Sequence, residues 1–195
     1  MERRHARVGI RLLAFVIIGC GPKGPARHPA GTDPPPVEEG GMTLTSPSFA
    51  HGEPIPRKHA YSGEGENEPV PLEWSNLPEG TVELALIVED PDAPGKTWVH
   101  DVLYKIPPDA TAELMVIRGA SALSEARFFE GVNSWGDAGW GGPMPPPGKP
   151  HRYVFTLYAL DAELDLVPGL AREELLEAME GHVLDTATLM GTYQR

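Results

Sequence analysis

Three short stretches of this chain gather side chains that could recognise or transform a small polar ligand. Asp90-Pro91-Asp92-Ala93-Pro94 presents two carboxylates on a stiff turn. A proline disfavours the helical region for the residue before it, so Asp90 is held extended. Thr97-Trp98-Val99-His100 reads as a strand, where alternation with period two puts Trp98 and His100 on one face as an aromatic and a titratable wall. Gly139 to Phe155 reads GWGGPMPPPGKPHRYVF. In it Gly141 and Gly142 would let a backbone approach a ligand closely, Pro143 to Pro147 would form a stiff rim, and the following strand would set His151, Tyr153 and Phe155 on one face. Arg152 would face the opposite way and serve in an ion pair.

Taken singly, each stretch has a plain structural explanation: an acidic turn facing water, or a histidine satisfied within an apolar strand. Taken together they make an anion site. Two histidines and a phenol can each donate a hydrogen bond to an anion oxygen, and a neighbouring aspartate raises a histidine's pKa and favours its protonated form. A carboxylate tolerates a phosphate only with a proton between them. Binding is therefore expected to strengthen on acidification toward the histidine pKa and to fail once the aspartate protonates.

The elements that must position these groups are strands. From Met42 onward proline and glycine recur at short intervals, and the apolar runs between them have strand length. Val82 to Val88, VELALIV, is apolar at nearly every position and closes on Asp90-Pro91, which predicts a central strand covered on both faces. Val99 to Ile106 and His151 to Leu160 predict further interior strands. One helix is expected near the end, with Leu175, Leu176 and Met179 as its apolar stripe, Glu173 and Glu174 in its first turn, and Gly181 as its stop. Thr111 to Gly131 is weakly patterned and receives no element, apart from a helical turn at Ser124 to Phe129.

The order of the motifs resembles the phosphatidylethanolamine-binding-protein family, in particular its bacterial Raf-kinase-inhibitor-like members. DPDAP follows a buried strand, a Trp-x-His strand comes next, and a Gly-Pro-rich rim leads into HRYVF. SPSF at Ser46 to Phe49, PLEW at Pro71 to Trp74, the Asn133 to Gly142 segment and GHVLDTATLMGTY at Gly181 to Tyr193 fall in register with them. The resemblance implies a mostly β fold, an antiparallel β-sandwich-like core with a few peripheral helices, and a small pocket for phosphate, acetate or a phospholipid headgroup. Carried over position by position, it implies a pocket built from Asp90, His100, His151 and Tyr153, with Asp92 and Trp98 beside it and Gly142, Met144 and Pro146 at the rim. It also implies a cis peptide at the DPDAP turn, for which Pro94 is the candidate, and it calls for no cofactor. Asp101 in place of a bulky apolar residue, Met144 inside the rim and Pro147 extending it depart from the pattern, so the identity of the headgroup does not carry over.

Other functions find less support. A hydrolase would need a nucleophile, and there is no Gly-x-Ser-x-Gly elbow; Ser134 has no signature around it. Asp90, His100 and His151 are metal-ligand types, but their spacing matches no local zinc motif. A protein-interaction role, inhibiting a protease or another enzyme, stays open, while an exported chain argues against a cytosolic kinase as partner.

The beginning of the chain sets its expected location. Arg3, Arg4, Arg7 and Arg11 precede an apolar run from Leu12 to Ile18, too short to cross a bilayer core of about 30 Å. Ile17-Ile18-Gly19-Cys20 resembles the lipobox of bacterial lipoproteins, which implies a signal peptide over 1–19 and lipidation of Cys20, the single cysteine. Residues 20–41, rich in proline and glycine, read as a tether, and 42–195 as one domain. Gly21, lacking the aspartate associated with inner-membrane retention, points to the outer membrane, with the domain facing the periplasm. The formal net charge is −12, and removing residues 1–19, with four arginines and one glutamate, makes the remainder more acidic still. Nucleic acid is thereby excluded as a partner, as is electrostatic adhesion to an anionic lipid surface, so membrane attachment would rest on the lipid anchor alone.

Overall fold

The apolar run at Val82 to Val88 becomes the middle of a sheet because side chains on both of its faces find cover. In the computed structural model, which describes residues 41–110 and 128–195, β1 (Thr43–Thr45) and β2 (Glu73–Ser75) pair as a small ribbon. A single turn of 3-10 helix, Arg57–His59, lies between them. β3 (Glu83–Asp90), β4 (Trp98–Ile106), β5 (Phe129–Glu130), β6 (His151–Leu160) and β7 (Val183–Tyr193) form an antiparallel sheet in the order β5-β4-β3-β6-β7. The helix α1 (Arg172–Ala178) connects β6 to β7. The fold is thus mostly antiparallel β with a short peripheral helix, as the sequence leads one to expect, and the described residues fall within one unit, Val37–Arg195.

Period-two alternation along β3 divides the core. Leu84, Leu86 and Val88 join Leu157, Phe155, Leu189, Leu72 and Phe49 on one face, while Ala85 and Ile87 join Val102, Tyr104, Leu164, Leu175 and Met179 on the other. All five β3 residues are at most 1% exposed. Burial of this kind stabilises by roughly 25 cal/mol per Å² of apolar surface, which is why the strand tolerates polar groups only near its ends.

β4 is not a regular partner of β3. Val88 pairs with Asp101 but Glu89 pairs with Val99, so His100 is an extra residue, a β-bulge. A second irregularity lies where Lys105 adopts φ 57°, between the pairs Leu84 to Ile106 and Leu86 to Leu103. Strict alternation would extend from Trp98 along the whole strand; the bulge confines it to the Trp98–His100 end and resets the parity beyond.

The helix carries the expected acidic first turn, and the Glu174 carboxylate accepts a hydrogen bond from the Ala171 N–H at 2.7 Å. It ends at Ala178, before Gly181; that glycine, at φ 83°, instead serves the turn that leads into β7. Phe129 belongs to β5 and not to a helical turn, and residues 124–127 of that expectation lie outside the described residues. So do the signal peptide, Cys20, all but the last residue of the tether, and most of the Thr111 to Gly131 segment.

His59 anchors the segment that covers the Leu86 face. It is 1% exposed, its Nδ1–H donates to the Glu68 carbonyl at 2.8 Å and its Nε2 meets the Ser48 hydroxyl at 3.0 Å. Burial, the largest cause, pulls its pKa below the ordinary 6.5. A histidine whose folded pKa is depressed contributes stability that is complete above its unfolded pKa and is lost as pH falls toward the folded value. Thermal melts at pH 7 and pH 5 are therefore expected to show a smaller acid-induced drop in Tm for His59→Gln than for the natural protein. An equal drop in both would show that His59 does not contribute to it.

Candidate functional site

A cavity of about 230 Å³ opens where three strands end together. Because β3 runs antiparallel to both β4 and β6, its last residue lies beside the first residues of its neighbours: Asp90 pairs with Trp98, and His151 begins the strand on the other side. Asp90, Trp98, His100, His151 and Tyr153 line the cavity, with Ala93 and Pro94 from the acidic turn, Trp135, and Met144, Pro145 and Pro146 from the proline rim.

The polar groups form a connected set. Asp90, 3% exposed, accepts from the Nδ1–H of His151 at 2.7 Å through one oxygen, and from the Asp92 N–H at 2.8 Å through the other. His100, 2% exposed, donates its Nδ1–H to the Gly141 carbonyl, since a carbonyl can only accept. The Tyr153 ring lies 5.0 Å from the His100 ring, nearly perpendicular to it. Tyr153 is 0% exposed, and among the described residues its hydroxyl is buried without a hydrogen-bond partner, as is the Trp98 Nε1–H.

Electrostatics correct one expectation. Burial outweighs the neighbouring carboxylate at His100 and lowers its pKa to about 4, so this imidazole is neutral at physiological pH. The Tyr153 hydroxyl is pushed up, first by burial and then by the Asp90 charge, and stays protonated. Asp90 makes its histidine hydrogen bond with His151.

Two residues expected in the pocket do other work. The Asp92 carboxylate accepts from the Arg152 backbone N–H at 2.9 Å, from its Nε–H at 2.9 Å and from its Nη2–H at 2.7 Å. The Arg152 guanidinium, the largest cause, holds the Asp92 pKa below its ordinary value. This pair, which bears out Arg152 as an ion-pair residue, staples the acidic turn to the start of β6 and so fixes Asp90 against His151. Among the described residues every peptide bond is trans, Pro94 included; the turn is closed by the Asp90 and Asp92 side-chain bonds instead of a cis bond. Gly142 is likewise not a wall of the cavity. A Cβ there would lie 2.1 Å from the His59 carbonyl oxygen, and one at Gly141 would lie 2.5 Å from the Trp135 ring. The two glycines admit protein, not ligand.

Trp135 is the wall residue that sequence reasoning passed over. It stacks on Tyr61 with ring centroids 4.7 Å apart and meets Trp98 and His100 edge-on at 5.3 and 5.2 Å. A tryptophan in a polar Asn-Ser-Trp-Gly turn is the signal that could have found it, since such a ring is costly to leave in water. Asn133 organises that turn by accepting from the Trp135 and Asp137 N–H groups. Among the described residues no lysine or arginine lines the cavity, and no group of three His, Cys, Asp or Glu side chains could hold a metal ion.

The close packing at Gly142 gives a direct test of how the rim is seated. Gly142→Ala is expected to lower stability by about 1–3 kcal/mol in denaturant unfolding, as overpacking does, because the opposing atoms are the His59–Tyr61 backbone and cannot rotate away. An unchanged midpoint would mean that the rim shifts freely.

Known proteins resemble this chain in sequence and fold. The model of the family described as phosphatidylethanolamine-binding protein matches residues 45–194. A UPF0098 protein of Methanothermobacter thermautotrophicus is 46% identical over 154 residues, covering 79% of this chain and 99% of the relative. Another from Chlamydia muridarum is 41% identical over 159 residues, with the same shares. Among solved structures, a putative phosphatidylethanolamine-binding protein homologue from Chlamydia trachomatis superposes with a TM-score of 0.69 at 38% identity, covering 80% of this chain and 99% of that one. E. coli YbcL, described as a member of the mammalian PEBP family, superposes with a TM-score of 0.71 at 32% identity over 79% of this chain and 98% of its own. The chain therefore belongs to the phosphatidylethanolamine-binding protein family, a family of non-catalytic binding proteins, and its function is binding of that general kind.

Proposed function

We infer that the chain is a membrane-tethered binding module whose cavity holds a small oxyanion, such as the phosphate of a phospholipid headgroup. The observation that carries this reading is the Tyr153 hydroxyl, buried without a hydrogen-bond partner among the described residues, on a side chain that lines the cavity beside His100 and the Asp90–His151 pair. A buried donor without a partner costs about 1–3 kcal/mol. Such a cost is retained where a ligand supplies the missing acceptor, and an oxyanion has oxygens for Tyr153 and for the free edge of His151 together. The cavity is sized for a headgroup and not for an acyl chain, and the proline rim with Trp135 and Trp98 supplies its apolar border.

Titration calorimetry against phosphate, phosphoethanolamine and acetate between pH 5 and pH 8 tests the reading. One-site saturable binding is expected, abolished by His151→Ala. Tyr153→Phe should weaken binding by about tenfold or more while leaving the unliganded protein as stable as before or more so, because it removes an unsatisfied group. A Tyr153→Phe protein that binds normally, or that loses stability, would make the hydroxyl structural.

Tethering rests on the Ile17-Ile18-Gly19-Cys20 pattern and the proline-rich stretch that follows it. Export with lipidation at Cys20 would leave the domain periplasm-facing, on the outer membrane. In a bacterium expressing the full chain, radiolabelled palmitate is expected to enter the protein and to be lost in Cys20→Ala. Equal labelling of both would remove Cys20 as the anchor.

A further inference from the structure

The proline wall of the cavity is a stretch of backbone that can do little to hold itself. Pro143, Pro145, Pro146 and Pro147 have no N–H, so between Pro143 and Pro147 only Met144 carries a backbone donor. The stretch also lies outside every strand and helix. Donors sent in from other parts of the chain fix it instead. The Tyr61 N–H reaches the Pro143 carbonyl at 3.1 Å, an Arg195 Nη1–H the Pro145 carbonyl at 3.5 Å, and the Gln194 side-chain amide the Gly148 carbonyl at 2.6 Å. The Gly148 N–H in turn donates to the Arg195 carbonyl at 3.4 Å. Of the three carbonyls so held, that of Pro145 belongs to a residue lining the cavity, and those of Pro143 and Gly148 do not. The Arg195 contact is therefore the one made on the wall itself.

At 3.5 Å that contact is at the long limit for a hydrogen bond, so whatever orients the guanidinium decides whether it is kept. Glu64 does so. One of its oxygens lies 3.5 Å from Arg195 Nε, and the other accepts from the Tyr193 hydroxyl at 3.0 Å. The planar fork of an arginine lets Nε face the carboxylate while Nη1 meets the carbonyl. Glu64 stands in a turn closed by its own N–H on the Tyr61 carbonyl at 2.9 Å, and this is the Tyr61 whose N–H holds Pro143 and whose ring stacks on Trp135. Arg57 also faces Glu64, at 3.8 Å, but it is 75% exposed and its Nε–H donates to the Glu64 backbone carbonyl, so it tightens the turn and does not reach the wall. We propose that Glu64 is a positioning residue of the cavity and Arg195 the arm through which it acts: together they clasp Pro145 and set where the proline wall stands. The consequence for binding rests on the reading of the cavity as an oxyanion pocket. The side chains of Glu64 and Arg195 are 24% and 36% exposed, so the pair fixes geometry and adds little to global stability.

Carbon-13 NMR of the methionine methyl groups of the full-length protein, combined with calorimetry against inorganic phosphate, tests the clasp. Met144 lies between Pro143 and Pro145 and lines the cavity, so its methyl signal reports on the wall; Met42 and Met179, at 4% and 1% exposure, report on the core. In Glu64→Ala and in Arg195→Ala the Met144 signal is expected to move while those of Met42 and Met179 stay in place. Phosphate should bind about three- to fivefold more weakly to each variant, and no more weakly than that to the double variant, since both substitutions open one contact. By charge alone Glu64→Ala would strengthen the binding of an anion and Arg195→Ala would weaken it, so a shared loss is the signature of the clasp. Should alanine at position 64 disturb Met42 or Met179, Glu64→Gln keeps the volume, removes the charge and takes its place. A Met144 signal that stays put in both variants, or a Glu64 variant that binds phosphate as tightly as the natural protein, would overturn the clasp and leave the oxyanion pocket standing. If the natural protein binds no phosphate, the oxyanion reading falls, and the Met144 signal decides by itself whether Glu64 and Arg195 set the wall.

Discussion

A strand buried on both faces has few places to put a charge, and β3 puts Asp90 at its last position. Leu84 to Val88 are sealed between two apolar layers, where an ion would cost several kcal/mol. At the strand's end the carboxylate is still only 3% exposed, so it must be satisfied by what lies next to it. Antiparallel pairing decides what that is: β6 begins where β3 ends and brings His151 to one oxygen, and the turn's own backbone brings the Asp92 N–H to the other. The Asp92–Arg152 pair then ties this turn to β6 from outside. The pair is partly exposed, so its net contribution to stability is small; its geometric role is to hold two ends of chain in register.

The remaining walls follow from this arrangement. His100 sits at a bulge in β4, where an extra residue breaks the pairing with β3. Bulges re-aim side chains, and this one lies beside the cavity. Trp135 closes a side of the cavity because Gly141 leaves space for its ring and Tyr61 stacks against it. The rim follows the backbone of the 59–61 segment because Gly142 has no side chain to hold it off, and its N–H donates to Asn67 at 2.8 Å. Glycines that look like ligand clearance in a linear reading are clearance for the protein's own layers.

The polar groups of the cavity mix donors and acceptors. They comprise a carboxylate, a neutral histidine, a single aspartate-paired histidine and a phenol without a hydrogen-bond partner among the described residues. The Tyr153 hydroxyl and Trp98 Nε1–H, left without partners among the described residues, mark where the fold gives up some stability to present donors.

Much of this was legible in the residues alone. The apolar run of β3, the alternation of β6, the acidic first turn of α1 and the proline-stiffened turn after Asp90 are local signals, set by side chains within a few positions of one another. They sufficed for a mostly β fold and for bringing Asp90, Trp98, His100, His151 and Tyr153 to one cavity, with Met144 and Pro146 at its rim. What tertiary structure alone decided depends on residues far apart in sequence. Asp92 meets Arg152 across 60 positions, Gly142 meets Asn67 across 75, and His100 meets Gly141 across 41. The removal of Asp92 and Gly142 from the pocket and the tautomer of His100 arise from those contacts, while burial lowers the pKa of His100 and packing against Tyr61 and Gly141 brings in Trp135. Burial and hydrogen-bond direction are properties of the packed neighbourhood, and a linear pattern specifies which residues can be buried but not which partners they will meet there.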